Sequence, residues 1–388
     1  MEFWFALGRD RKARVTFGFD DVSLVPGNVT VDPKDVDISM QIGPLTLKVP
    51  ILGAAMDGVV DPVMAGELGK LGALGVLNLE GLFTRYEDPY AVIGEIISQP
   101  RDQVASFLQR VYQEPIKEKL IERRVEEIKS WGVLAAASVT PLQAETIGRR
   151  AIQAGLDVLV IQSTVTTLRY FSSFLRALDL ERFCREAPIP VVVGNCATYE
   201  VALELMRAGA SGILVGVGPG AACTTRAVLG IGVPQVTATV DVAAARKEYS
   251  KSTGRYVAVI TDGGMRVGGD VAKAIASGAD AVMLGSPLAA AQEAPGRGYH
   301  WGMATPDPNL PRGTLVKVGI KGSLQEILFG PSRVTDGTMN FVGALRASMG
   351  TLGARTIREM QEVEIAIAPS IWTEGKQLQK EQGVGMGR

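Results

Sequence analysis

The chain has 388 residues, 46% hydrophobic and 21% charged, with a formal net charge of −1. That is a globular balance able to bury a full core, and nothing in it favours a nucleic acid or an anionic membrane over a small ligand. No apolar run reaches the roughly 18 residues of a membrane helix. Three scattered cysteines argue against a disulfide framework or a zinc site.

In "MEFWFALGRDRKARVTF" (1–17) the basic residues follow the apolar ones, the wrong order for a signal peptide, so the expected location is cytoplasmic. Eight short runs rich in Val, Ile, Leu and Ala come next. They are "VPILGAAMD" (49–57), "GVLNLEG" (75–81), "GVLAAASVT" (132–140), "DVLVIQS" (157–163), "IPVVVGN" (189–195), "GILVGVG" (212–218), "YVAVITDGG" (256–264) and "AVMLGS" (281–286). None alternates apolar with polar, which predicts parallel strands buried on both faces. "TIGRRAIQAGL" (146–156), "YEVALELMRAGA" (199–210) and "DVAKAIASGA" (270–279) carry helical apolar spacing and end near glycine. Strands and helices alternating eight times predict one α/β domain over 1–388, a (β/α)8 TIM barrel; a doubly wound open sheet is the rival. The charged segment 82–131 reads as a helical insertion between strands 2 and 3.

Barrel chemistry lies at the C-terminal ends of the strands, so it belongs where each run stops. The seventh run ends in Asp262-Gly263-Gly264 and the eighth in Gly285-Ser286. Glycines at these two loops let backbone N–H groups approach a phosphate, and Ser286 can add a hydrogen bond. Asp262 would repel phosphate and suits ribose hydroxyls, so the set predicts a nucleoside monophosphate. The plain alternative is that the glycines only make tight turns. After the sixth run, "GVGPGAACTTR" (216–226) carries Cys223 on a flexible loop, where backbone N–H groups, a helix start and Arg226 are expected to favour the thiolate. Cys184 and Cys196 read as small buried hydrophobes. With a single histidine, His300, in the whole chain, a thiolate without an imidazole partner suits an already electrophilic carbon such as a purine C2.

"GVGPGAACTTRAVLGIGVPQVTA" (216–238) closely resembles the cysteine-loop signature of the IMP dehydrogenase/GMP reductase family. "FDDVSLVPG" (19–27), "PILGAAMDGVV" (50–60), "VVGN" (192–195), "ITDGG" (260–264), "VMLGSPLAAAQEAPG" (282–296) and "APSIWTEGK" (368–376) resemble its other blocks in order, so the likeness spans nearly the whole chain. The resemblance implies attack of Cys223 on C2 of IMP, hydride transfer to NAD, and hydrolysis of the Cys223-bound intermediate to XMP, with Thr225 positioning the water. It assigns Asp262 to the substrate ribose, Gly264, Gly285 and Ser286 to its phosphate, and Met56, Gly302 and Met303 to its base, with Gly263 also in the substrate site. It assigns Gln162, Ser163, Asn195 and Gly216 to the cofactor. Carbonyls of Gly218, Gly220 and Cys223 match a potassium site, completed by Glu374, Gly375 and Lys376 from a neighbouring subunit. The tail 365–388 would therefore contact another copy, in a homotetramer or octamer.

The departures from the family pattern are specific. Segment 82–131 is too short for the paired CBS module, so the chain resembles the short CBS-free members. Gln162 stands where the family has an aspartate for the nicotinamide ribose, a neutral acceptor that loosens preference toward a phosphorylated ribose. Ala54 and Ala221 replace serines, and His300 replaces a phosphate-contacting tyrosine. The flap is abbreviated within 297–322, and Arg312 is the candidate hydrolytic base or else a surface turn residue. The expected activity is IMP oxidation with NAD in guanine nucleotide biosynthesis. The alternatives are an NADPH-dependent GMP reductase or a non-catalytic purine-nucleotide-binding protein.

Overall fold

A computed structural model of the chain describes residues 4–387 except 175, 303–313 and 371–372. Each of the eight apolar runs marks one barrel strand and contains it, save that the second strand starts one residue before its run and the fifth ends one residue past its run: β1 (Ile51–Gly53), β2 (Leu74–Asn78), β3 (Ala136–Val139), β4 (Val158–Gln162), β5 (Val191–Cys196), β6 (Gly212–Val215), β7 (Ala258–Asp262) and β8 (Ala281–Leu284). They pair in parallel in chain order, and the sheet closes where Val282, Met283 and Leu284 of β8 register with Ile51, Leu52 and Gly53 of β1. The open-sheet rival is thereby ruled out, and the fold is a (β/α)8 barrel.

The runs fail to alternate because both faces of each strand are buried in different apolar environments. Val158 and Val160 of β4 point into the barrel with Leu52, Val76, Val192, Leu214 and Ile260. Their neighbours Leu159 and Ile161 pack outward, in the layer between strands and helices. The barrel interior is stoppered at the N-terminal end by an antiparallel hairpin, Met40–Ile42 with Leu45–Leu47, whose Met40, Ile42 and Leu47 join the interior cluster. Gly43 makes its turn at φ +55°, where a side chain is disfavoured.

Helix Pro62–Lys70 shows how the connections start: Asp61 caps it through Met64 N–H, and Pro62 occupies the first turn. Segment 82–131 folds as helices Pro89–Ser98, Val104–Val111 and Glu118–Lys129. The last packs against both Pro62–Lys70 and Arg149–Gln153, in the ring of crossover helices. The added layer is therefore the first two helices. Below the barrel, Arg246 Nη1 and Asp280 Oδ2 form a buried ion pair at 2.8 Å, and Asp280 also accepts from the Tyr256 hydroxyl at 2.6 Å. Strands Val22–Leu24 and Ile365–Ile367 pair antiparallel and bring the two ends of the domain together.

Candidate active site

A cavity of about 1040 Å³ opens over the C-terminal ends of the strands. The sequence-selected residues Met56, Gln162, Ser163, Asn195, Gly216, Gly218, Gly220, Cys223, Thr225, Asp262, Gly263, Gly264, Gly285, Ser286, His300 and Gly302 all line it. Met303 and Arg312 lie outside the described residues. Glu374, Gly375 and Lys376 do not line the cavity; they form a surface turn before helix Gln377–Gln382.

The cysteine loop is braced rather than loose. Cys223 N–H donates to Gly220 O at 3.0 Å, and the exposed thiol lies 3.2 Å from the buried Thr225 hydroxyl. Arg226 does a different job from the expected one. Its Nε and Nη2 donate to the carbonyls of Val217 (3.3 Å) and Val233 (2.8 Å), so its donors go to the loop backbone. Its stem threads between Gly218 and Gly232, where an added Cβ would come within 2.7 and 2.8 Å of Arg226 Cγ. Those two glycines make room for this clasp. Burial pushes the thiols of Cys184 and Cys196 up to about 12, which leaves them protonated and inert. Cys223 is the one exposed thiol.

Beside the thiol loop, Asp262 ends β7 and accepts from Asn195 Nδ2 at 2.7 Å. Desolvation pushes its carboxyl up to about 6, against the lowering effect of the Asn195 bond. It is thus ionised at neutral pH with acceptor capacity left for hydroxyls. Asn195, assigned to the cofactor by resemblance, is bonded to the Asp262 carboxylate instead. Ser163 Oγ lies 2.8 Å from Val165 O and 3.0 Å from Thr166 Oγ1, in its own turn. Gly263 and Gly264 both have positive φ and pack against Pro219 and Gly220, so the cysteine loop rests on the Asp262 turn. Gly216 sits where a Cβ would strike Asp262 O and the Gln235 amide. Across the mouth, Ser286 Oγ and His300 Nε2 are 2.8 Å apart. Burial pushes His300 down to about 4, so the ring is neutral.

Several residues in and around this site carry no role in the sequence reading. Gln235 Nε2 donates to Val215 O at 2.7 Å and Asp262 O at 2.9 Å, tying β6 to β7 beneath the thiol loop; "GVPQ" contains it without announcing that geometry. Glu80, buried after β2, accepts from Thr140 N–H and Oγ1, and desolvation raises its carboxyl. Arg85 donates from Nε to Glu80 O at 3.0 Å. Tyr112, at the end of inserted helix Val104–Val111, lines the cavity and bonds Asp57 and Trp301. Its tie to the site is long-range, and no local pattern reports it.

The residues present fit the implied groups. The cavity slightly exceeds the usual range for one small-molecule pocket, room for a nucleotide and part of a cofactor together. Gln162 offers a neutral acceptor and donor on its rim. The oxygen-rich glycine loop suits a monovalent cation, but the tail residues would have to come from another copy. Among the described residues no cluster of three or more His, Cys, Asp or Glu is placed to hold a metal, and no helix is long and apolar enough to cross a membrane.

The chain is similar over nearly its whole length to known proteins. Residues 16–376 match the IMP dehydrogenase / GMP reductase domain model. The chain is 40% identical over 370 residues to an uncharacterized oxidoreductase of Mycolicibacterium smegmatis, covering 93% of this chain and 99% of that one. It is 30% identical to the inosine-5'-monophosphate dehydrogenase of Methanocaldococcus jannaschii, over 92% of this chain and 94% of the relative. A crystal structure of an IMP dehydrogenase/GMP reductase-like protein from Corynebacterium glutamicum superposes with TM-score 0.89 at 36% identity, covering 94% and 97% of the two chains.

Proposed function

The chain belongs to the IMP dehydrogenase/GMP reductase family of oxidoreductases, and from that premise we propose that it oxidises IMP to XMP with NAD through a covalent bond to Cys223. The observation that carries the reading is the exposed Cys223 thiol held 3.2 Å from the Thr225 hydroxyl, above a turn that presents Asp262. Asp262, oriented by Asn195, accepts from the ribose hydroxyls. Ser286 and the Gly264 and Gly285 backbones hold the phosphate, and Met56 and Gly302 flank the base. With the nucleotide so fixed, the Cys223 thiolate adds to C2, forming a C–S bond as the C2–N3 π pair moves onto N3, and that pair re-forms the double bond when the hydride leaves. When bound, NAD supplies the acceptor for the hydride that C2 then loses.

Water adds next to the Cys223-bound carbon. Thr225 orients it and Arg312, once in its neutral guanidine form, takes its proton; the C–S bond breaks, the thiolate is restored and XMP leaves with C2 oxidised. Potassium on the carbonyls of Gly218, Gly220 and Cys223 would hold the loop, with Glu374, Gly375 and Lys376 of a neighbour in a homotetramer. The segment "AVLGIGVPQ" after the loop favours oxidation, since the reductases carry a more polar version there. The deciding experiment gives the purified protein IMP with NAD, and GMP with NADPH, in potassium buffer. NADH formation only with IMP is the expected result. NADPH consumption only with GMP would replace the proposal with a reductase.

A further inference from the structure

His300 is the only histidine in the chain, and it is 2% exposed. It sits on a short strand, Tyr299–Trp301, paired with Leu315–Lys317 and packed beside the helix that starts at Ser286. Its Nε2 lies 2.8 Å from Ser286 Oγ, while its Nδ1 is buried with no partner among the described residues. Two neutral tautomers satisfy the first contact. In one, Nδ1 carries the proton, and a buried N–H is left without an acceptor, a rare arrangement in folded proteins. Ser286 must then donate its hydroxyl proton to Nε2, and it turns only lone pairs toward the glycine cradle. In the other, Nε2–H donates to Ser286 Oγ, the orphan Nδ1 is a bare acceptor, and the Ser286 hydroxyl proton is free to point into the cavity.

We propose that His300 is a positioning residue, locked as the neutral Nε2–H tautomer, that forces Ser286 to act as a hydrogen-bond donor to the phosphate of the bound nucleotide. The cationic ring would bury an unpartnered Nδ1–H, which accords with the direction burial moves this group. His300 thus recognises the phosphomonoester at one remove, through the polarity it imposes on Ser286. This rests on the reading of the Gly264, Gly285 and Ser286 cradle as a phosphate site.

Because there is one histidine, the full-length protein labelled with 15N-histidine gives a single imidazole pattern in a long-range proton–nitrogen correlation. At neutral pH and without ligand, the protonated nitrogen should be Nε2 and the bare one Nδ1. A protonated Nδ1 with a bare Nε2, or a cationic ring, overturns the proposal whether or not IMP is the substrate. The second arm measures binding of IMP and of inosine, which lacks the phosphate. His300→Gln places an amide donor where Nε2 was and should keep IMP affinity within about threefold, whereas His300→Met should lose about tenfold or more. Inosine affinity should be the same in both variants. Equal IMP losses in the Gln and Met variants, or parallel losses of inosine, would reduce His300 to a packing role. Failure of the native protein to bind IMP would remove the nucleotide reading, and the unliganded tautomer would still decide this proposal.

Discussion

The hydroxyl of Tyr112 donates to Oδ2 of Asp57 across 2.6 Å, joining the inserted helices to the loop that follows β1. The same hydroxyl accepts from Trp301 Nε1 at 2.8 Å, and Trp301 neighbours His300 on the hairpin. Tyr112→Phe would leave a buried carboxyl with fewer donors and a buried indole N–H without its acceptor. Losing such bonds costs about 1–3 kcal/mol. The urea midpoint should fall at unchanged slope, and IMP affinity should fall with it. An unchanged midpoint would mean that the inserted layer does not brace the hairpin.

Cys223→Ala should cut turnover by at least about a thousandfold while leaving IMP affinity close to native. Covalent attack is lost, but Asp262 and the phosphate cradle are untouched. A purine nucleotide carrying a leaving group at C2 should alkylate the native protein at Cys223 alone, since burial holds Cys184 and Cys196 in the thiol form. Peptide mapping by mass spectrometry reads this directly.

The pH dependences of stability and of binding should run in opposite directions. Asp57 and Asp262 are both pushed up to about 6 by desolvation from an ordinary value of 3.8. Each therefore holds its proton more tightly folded than unfolded. Their contribution to stability is complete below about 4 and is lost as the pH rises through about 6. If IMP is held as proposed, with the Asp262 carboxylate as its ribose acceptor, its affinity should rise over the same interval. Asp262→Asn should flatten that rise and weaken IMP about tenfold or more at neutral pH. Scanning calorimetry for stability and titration calorimetry for binding, each from about pH 4 to 8, test both.

Arg246→Ala should destabilise the domain by about 3–5 kcal/mol, because it strands Asp280 beneath the barrel without its buried counter-charge. Its effect on the kinetics of the folded fraction should be slight, since the pair lies at the end opposite the cavity. A large change in KM for IMP with little loss of stability would contradict this.

Truncation after Pro369 preserves the pairing of Ile365–Ile367 with Val22–Leu24 and removes Glu374, Gly375 and Lys376. The shortened chain should fold, lose tetramer by light scattering, and lose its stimulation by potassium over sodium. A truncated tetramer that still responds to potassium would remove the tail from the cation site.

The barrel was readable because burial on both strand faces writes itself as uninterrupted apolar runs, one run per strand. That Cys223, Asp262 and Ser286 line one cavity was readable for a related reason: each stands where such a run breaks into glycine. Gln235, Glu80 and Tyr112 were not, because each earns its place through a partner on another strand or helix. Arg226 shows the converse. A basic residue three positions from a thiol suggests an electrostatic partner, yet its donors serve two backbone carbonyls. Charge proximity in sequence does not reveal which way a long side chain turns. The extent of segment 82–131 was blurred because its final helix is amphipathic like any crossover helix and differs from the inserted pair only in what it packs against.

The Arg226 clasp also sets how the thiol loop opens. By bonding Val217 O and Val233 O, one side chain ties together the two ends of the stretch that carries Cys223. Releasing those bonds leaves that stretch held by its contact with the Gly263–Gly264 turn, with the strand-to-strand barrel hydrogen bonds intact. The loop is therefore expected to open locally, at a lower free energy than global unfolding. Amides between Gly218 and Gly232 should exchange with solvent faster than those of β6 and β7, and ligands that rest on the loop should slow them.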